Sequence, residues 1–296
     1  MERCVFKNKN LEIHIDLPKY GYQQTRFDWT GKIVKVKFQD ILISSTERIN
    51  DYDITIFGKG FYNEFGIEHP IGYEEANPNG WFHKIGVGAL QRDNKPYDFS
   101  KLYAVRPLDF EMQTTSNKLI INCQSDLING YAYQLKKEIE LLEDGWRVQY
   151  DLHNTGEKII QTDEYNHNFV AINQEFIGEN YILKFPFEIQ PTLFEETVNP
   201  DNKVNIGERI FNFKGEHNNP FFFSNLSGGK MANASWELIN TQHNISLSEI
   251  GNFQTKKINL WGWKHVISPE LFFEISLPPN QSVQWSRTYQ IKKIKY

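Results

Sequence analysis

Cysteine is almost absent from this chain. Cys4 and Cys123 are the only two in 296 residues, too few for a disulfide framework and without the C-x-x-C spacing of a zinc or redox site. A reducing compartment fits that scarcity, and because no apolar stretch follows the charged N-terminus, a cytoplasmic protein is expected. Long hydrophobic runs are missing too: none approaches the roughly 18 consecutive apolar residues of a membrane-spanning helix. Positive charge is in deficit, with 32 Lys and Arg against 37 Asp and Glu and a formal net charge of -5. That balance removes the electrostatic footprint of a phosphate-backbone binder. Neither nucleic acid nor a membrane is therefore expected as a partner. The chain also lacks a G-x-S-x-G elbow, an H-E-x-x-H helix, a Walker loop and a dinucleotide fingerprint, which argues against nucleotide and zinc enzymes. No Pro/Ser-rich linker, low-complexity tract or fixed-period repeat divides it. Residues 1–296 read as a single domain, a size that all-β proteins reach.

Aromatic residues, by contrast, are abundant: 22 Phe, 14 Tyr and 7 Trp make up 15% of the chain. Such side chains suit both pleated sheets and carbohydrate clefts. The stretch from Gly31 to Ile43 alternates apolar and polar residues, the period-2 signature of half-buried strands. The same texture recurs at Leu119 to Gln124, Trp146 to His153, Tyr181 to Phe187, Ile258 to Trp263 and Leu271 to Leu277, with Asn, Gly, Asp and Pro as punctuation. Tyr133 to Leu142 has a helix-forming composition. Its Leu135, Ile139 and Leu141 also fit one face of a strand with solvent-facing Lys and Glu, and Glu143-Asp144-Gly145 behind them is a hairpin turn signal. The strand reading is preferred, and many short strands predict an all-β protein of stacked sheets.

One constellation can carry chemistry. Glu164-Tyr165-Asn166-His167-Asn168-Phe169 follows a strand from Trp146 to Leu152, a turn at Asn154-Thr155-Gly156 and a second short strand near Ile159, so His167 falls at a strand end. With an ordinary pKa near 6.5, a histidine there can give and recover a proton at neutral pH. Taken alone, it would be read as a hydrogen-bonded core residue. The strand, the Asn-x-Gly-like turn, and Asn166, His167 and Phe169 as an N-H-x-(aromatic) element together resemble the aldose 1-epimerases of the galactose mutarotase-like superfamily. The resemblance implies a β-supersandwich of two large, mostly antiparallel sheets with a carbohydrate cleft. It also implies interconversion of the α and β anomers of a sugar, with His167 as the acid that protonates the ring oxygen and a C-terminal Glu as the base. Between Ser268 and Leu277, period-2 geometry puts Glu270, Phe272, Glu274 and Ser276 on one face of a strand. Glu274, preceded by two aromatics as the family's base is by an apolar run, is the first candidate and Glu270 the alternative. Either could also be an ordinary surface carboxylate. Both steps are proton transfers, so no cofactor and no metal are expected.

Sugar-binding candidates come from three other clusters and from the end of the chain. Arg26 stands beside Phe27, Asp28 and Trp29 in Thr25-Arg26-Phe27-Asp28-Trp29, a cation that could clamp a hydroxyl or hold a core ion pair. Asn63 and Glu64 sit among aromatics in Phe61-Tyr62-Asn63-Glu64-Phe65-Gly66, the mixture that hydrogen-bonds hydroxyls while stacking on a ring. Lys84 precedes the glycine pair Gly86 and Gly88, and Trp261 and Trp263 alternate on one strand, as stacking platforms or as core. The family's second histidine, in an H-G-G-like setting, has no counterpart: His69 and His83 lack the expected neighbours. That gap supports a rival reading, a non-catalytic carbohydrate-binding or regulatory module. A lyase or glycoside hydrolase working with two carboxylates is a third. In each case the partner is a small carbohydrate and the protein a monomer or homodimer.

Overall fold

A computed structural model describes residues 2–49 and 55–294, which form strands and two 3-10 turns, Ile172–Gln174 and Pro191–Leu193. No helix among them is long and apolar enough to cross a membrane.

Alternation builds the architecture. Tyr133–Leu141, the stretch of helix-forming composition, is a strand: Leu135, Ile139 and Leu141 turn inward while Gln134 and Lys136 turn outward. It pairs antiparallel with Gly145–Asn154, Leu141 opposite Trp146, so the Glu143-Asp144 turn closes a hairpin as expected. Lys137 differs from the expected solvent-facing lysines. The period of two puts it on the inward face, where it is buried.

Two ten-stranded sheets result. One, the site sheet, runs Arg3–Lys7, Leu11–Asp16, Lys32–Phe38, Phe61–Phe65, Ile160–Asn168, Val266–Leu277, Ile258–Trp263, Phe221–Phe223 and Thr197–Val198, with Ile41–Leu42 beside Lys32–Phe38. The other, the back sheet, runs Val204–Ile206, Ile210–Phe213, Tyr181–Lys184, Ala232–Asn240, Ile245–Thr255, Ser282–Lys293, Gly145–Asn154, Tyr133–Leu141, Lys118–Gln124 and Phe110–Thr114. The inner faces of both sheets supply one apolar core, which includes Phe61, Phe65, Trp146, Leu260, Leu271 and Trp285. A second, aromatic-rich core with Tyr22, Phe27, Tyr62, Phe82 and Phe169 covers the opposite face of the site sheet. It is roofed in part by a small sheet of Trp81–Lys84, Gly88–Gln91 and Val105–Pro107. At its margins the site sheet ends in the two-residue Thr197–Val198 strand and in Arg3–Lys7, whose Arg3, Val5 and Lys7 point outward.

The inter-sheet core is not purely apolar. Arg287, on Ser282–Lys293 and 1% exposed, donates to Glu164 Oε2 of the site sheet at 2.7 Å and to Glu249 Oε1 of the back sheet at 2.7 Å. Trp285 Nε1 donates to the same Glu164 oxygen at 2.8 Å, and Asn63 Nδ2 donates to the other at 2.8 Å. Lys137 Nζ links Asn63 Oδ1 at 3.1 Å to Asp28 Oδ2 at 3.0 Å, and Tyr150 also donates to Asp28. Buried charges persist only when paired and hydrogen-bonded, and Arg287, Glu164, Glu249, Lys137 and Asp28 each are. Removing Arg287 leaves two uncompensated carboxylates in the interior. The variant Arg287→Met should therefore lose about 3–5 kcal/mol of stability, read as a lower urea midpoint; an unchanged midpoint would mean that the bridge does not hold the sheets together.

Candidate functional site

The central strand Ile160–Asn168 has two polar faces. Glu164, Asn166 and Asn168 point into the inter-sheet network, whereas Tyr165 and His167 point the other way, into a cleft of about 840 Å³ on the outer face of the site sheet. His167 is the penultimate residue of the strand, the strand-end position its sequence context predicts. Only an edge of its ring reaches the cleft, since the residue is 4% exposed. Phe169 stacks on the imidazole at 4.1 Å and 13°, and Trp261 meets it edge-on at 5.3 Å. Gly58 lets its loop close over the same phenyl ring, because a Cβ there would lie 2.4 Å from the Phe169 side chain.

The carboxylate that meets His167 is Glu270. Its Oε1 lies 3.5 Å from His167 Nε2, and both side chains line the cleft. Glu274 does not join them: it shares the strand face of Glu270 but lies four residues further along the strand, exposed and 3.3 Å from Lys256. Alternation sorts the two faces correctly, but only the loops packed over the first half of the Val266–Leu277 strand bury one glutamate and spare the other. The pair stands side by side on the cleft floor.

Ser268, which sequence reasoning missed, completes the group. It is fully buried, accepts from the Asn168 backbone N–H at 2.9 Å, and its Oγ lies 2.8 Å from His167 Nδ1 and 3.3 Å from Glu270 Oε1. With His167 protonated at Nδ1, that hydrogen goes to Ser268 Oγ, the serine hydroxyl goes to Glu270, and Nε2 is left with a free lone pair toward the cleft. The signal that could have found it is the same alternation: Ser268 precedes Glu270 by two on one face. Burial disfavours charge on both titratable members. Desolvation pushes the Glu270 carboxyl up to about 8 against the opposing pull of the Arg26 guanidinium, and holds the His167 imidazolium well below its usual range. Carboxyl and imidazole are thus both neutral at neutral pH.

The other expected binders divide. Arg26 and Trp261 line the cleft. Arg26 is held in place by Nε–H donation to Glu64 Oε2 at 2.8 Å and Nη2–H donation to the Tyr165 hydroxyl at 3.0 Å, with its guanidinium 4.5 Å from the Phe27 ring centroid. Glu64 and Lys84 lie behind that wall, buried and joined to each other at 3.2 Å, Lys84 also donating to the Tyr97 hydroxyl at 3.1 Å. They support Arg26 rather than face a ligand. Asn63 is on the opposite side of its strand, in the inter-sheet network, because residues 63 and 64 of a strand cannot share a face. Of the N-terminal histidines, His83 is buried with Nε2 2.9 Å from the Tyr131 carbonyl oxygen, and the His69 side chain is exposed. Neither lines the cleft.

No family model and no curated protein matches the chain. Solved structures do match along its whole length. A putative aldose 1-epimerase from Escherichia coli K12 superposes with a TM-score of 0.61 at 9% identity, covering 99% of both chains. The galactose mutarotase related enzyme from Lactobacillus acidophilus gives 0.59 at 10% identity over 99% of this chain and 100% of its own. A galactose mutarotase-like protein from Clostridium acetobutylicum gives 0.56 at 14% identity over 98% and 95%. Identity this low speaks for architecture alone, and that architecture, two large antiparallel sheets with a cleft over the outer face of one, is the galactose mutarotase-like fold.

Proposed function

We propose that the cleft interconverts the anomers of an aldose by proton transfer between the sugar and the His167/Glu270 pair. The observation that carries this reading is the pair itself, 3.5 Å apart at the cleft floor. Mutarotation exchanges protons at the ring oxygen and at the C1 hydroxyl, which are bonded to one carbon, so an acid and a base standing together on one flank reach both. The roles are the reverse of those the resemblance implies. Glu270, which keeps its proton up to about pH 8, donates to the ring oxygen while neutral His167 takes the hydroxyl proton at Nε2. The bond from C1 to the ring oxygen breaks and a carbonyl forms at C1. What remains is a carboxylate beside an imidazolium, an ion pair in a site of low dielectric with Arg26 as a further positive neighbour of Glu270. Rotation about the C1–C2 bond and the reverse transfers give the other anomer and restore both groups. Neither step calls for a cofactor, and with Cys4 and Cys123 both free and buried the activity is taken to be cytoplasmic, on a small carbohydrate.

A binding-only reading has one observation in its favour, the absence of any N-terminal histidine from the cleft lining. Exchange NMR on dissolved aldoses separates the two. The parent should accelerate anomer exchange over buffer, and His167→Ala and Glu270→Gln should each slow it by about 10²–10⁴-fold. Sugar binding without acceleration would favour the module, and full activity in either variant would remove that residue from the mechanism.

The raised Glu270 value sets two pH dependences. Turnover should hold steady through neutrality and decline above about pH 8 as the carboxyl ionises; a rise through that range would make the carboxylate the working form. Stability follows the same group with a definite sign. In the unfolded chain the carboxyl ionises near its ordinary 4.5 and in the folded protein near 8, so the parent should lose stability relative to Glu270→Gln as pH rises from 4.5 to 8. Thermal midpoints of the two that keep a constant gap over this range would contradict the buried neutral acid.

A further inference from the structure

We propose that the cleft takes the reducing end of a neutral oligosaccharide, with the terminal ring at His167 and Glu270 and the following sugar units stacked along Trp261, Phe222 and Trp263. The inference rests on the anomeric reading above and deepens it by naming a substrate class.

Size is the first argument. Even at a liquid water's share of about 30 Å³ per heavy atom, the twelve heavy atoms of a hexose fill at most roughly 360 Å³, and the cleft measures about 840 Å³. A single ring leaves more than half of it unfilled.

Register is the second. On the Ile258–Trp263 strand Asn259 stands opposite Glu270, Trp261 opposite Ser268 and Trp263 opposite Val266, while Phe222 of the next strand stands opposite Trp261. The face that begins with an amide beside the acid therefore continues as a row of aromatics leading away from it, at two-residue steps of roughly 6.6–6.8 Å along the strand. Aromatic faces stack on the apolar faces of sugar rings, and amide and carboxylate groups beside them take the hydroxyls. Among the described residues no ring lies flat against these three: Trp261 meets His167 and Phe169 edge-on, Trp263 is tilted to His265 with the Arg48 guanidinium 5.8 Å from its ring centroid, and Phe222 has no ring contact. Trp263 is oriented by donation from Nε1 to the Asn218 carbonyl at 3.0 Å, so its plane is set before any ligand arrives.

Charge is the third. Recognition of a phosphorylated sugar draws on clustered, uncommitted cations. Of the cleft-lining cations, Arg26 is committed to Glu64 and Glu47 and Lys101 to Asp93. Arg48 alone has no carboxylate partner among the described residues, and it shares the cleft with Glu47, Glu68 and Glu196. A neutral ligand meets this balance, and a phosphoryl group does not.

The test measures anomer exchange on glucose, maltotriose, cellotriose and glucose 6-phosphate with the parent, Trp263→Ala and Phe222→Ala. At least one trisaccharide should show a kcat/KM about tenfold or more above that of glucose in the parent, a ratio that falls to near one in both variants, with glucose 6-phosphate the poorest of the set. A parent that turns over glucose with no gain from chain length, variants that keep the gain, or a preference for the phosphorylated sugar would overturn the inference and leave the anomeric reading standing. If no sugar is turned over, the anomeric reading fails, and titration of tryptophan fluorescence decides the platform by itself. Trisaccharide binding that is tighter than that of glucose and lost in Trp263→Ala supports it, and equal or absent binding overturns it.

Discussion

The salt bridge from Arg287 to Glu164 is the interaction on which this protein's geometry turns. Glu164 belongs to the strand that carries His167, three residues on, and its carboxylate is fixed by Arg287, Trp285 and Asn63 in the interior between the sheets. Asn168, the residue after His167, is anchored the same way, donating to Glu249 at 3.0 Å and to the Pro269 carbonyl at 2.6 Å. A purely apolar interior would leave this strand free to adjust its height against the back sheet. Directional bonds on both flanks of His167 remove that freedom, and the imidazole on the other face inherits a fixed position.

Burial then decides the chemistry of the site. In water the carboxyl would be ionised at neutral pH and the imidazole would titrate just below it, but these two share a floor walled by Phe169, Trp261 and Phe272, where desolvation raises the acid and lowers the base. Ser268 ties them into one hydrogen-bonded group and sets which imidazole nitrogen faces the ligand. The cost of desolvation stands against a gain that arises only when the sugar's protons have moved, which is when stabilisation accelerates a reaction.

Much of this was legible in the sequence, because it follows from a period of two. Alternation gave the strands from Leu119 to Gln124 and from Ile258 to Trp263, resolved the helix-like Tyr133 to Leu142 in favour of a strand, and placed Glu270 and Glu274 on one face. The strand, turn and second strand ahead of Asn166 place His167 at a strand end, where it is found. What alternation does not carry is depth along a strand and the identity of what covers it. Hence alternation leaves Glu270 and Glu274 undivided on one face, whereas its own period sets Asn63 apart from Glu64 and turns Lys137 inward, against the expectation of a shared binding cluster and of solvent-facing lysines. Ser268 was passed over because a serine announces its role only through the partners that folding brings to it.

The two margins of the site sheet bear on how the molecule keeps company with its own kind. A sheet edge offers unpaired peptide groups to any passing strand, and long, flat, uncharged edges invite chain-to-chain growth. Here one rim is only two residues long at Thr197–Val198, and the other displays Arg3 and Lys7 to solvent. Both are poor templates for a docking strand, so in concentrated solution the rims of the site sheet repel a neighbour or offer it little to pair with.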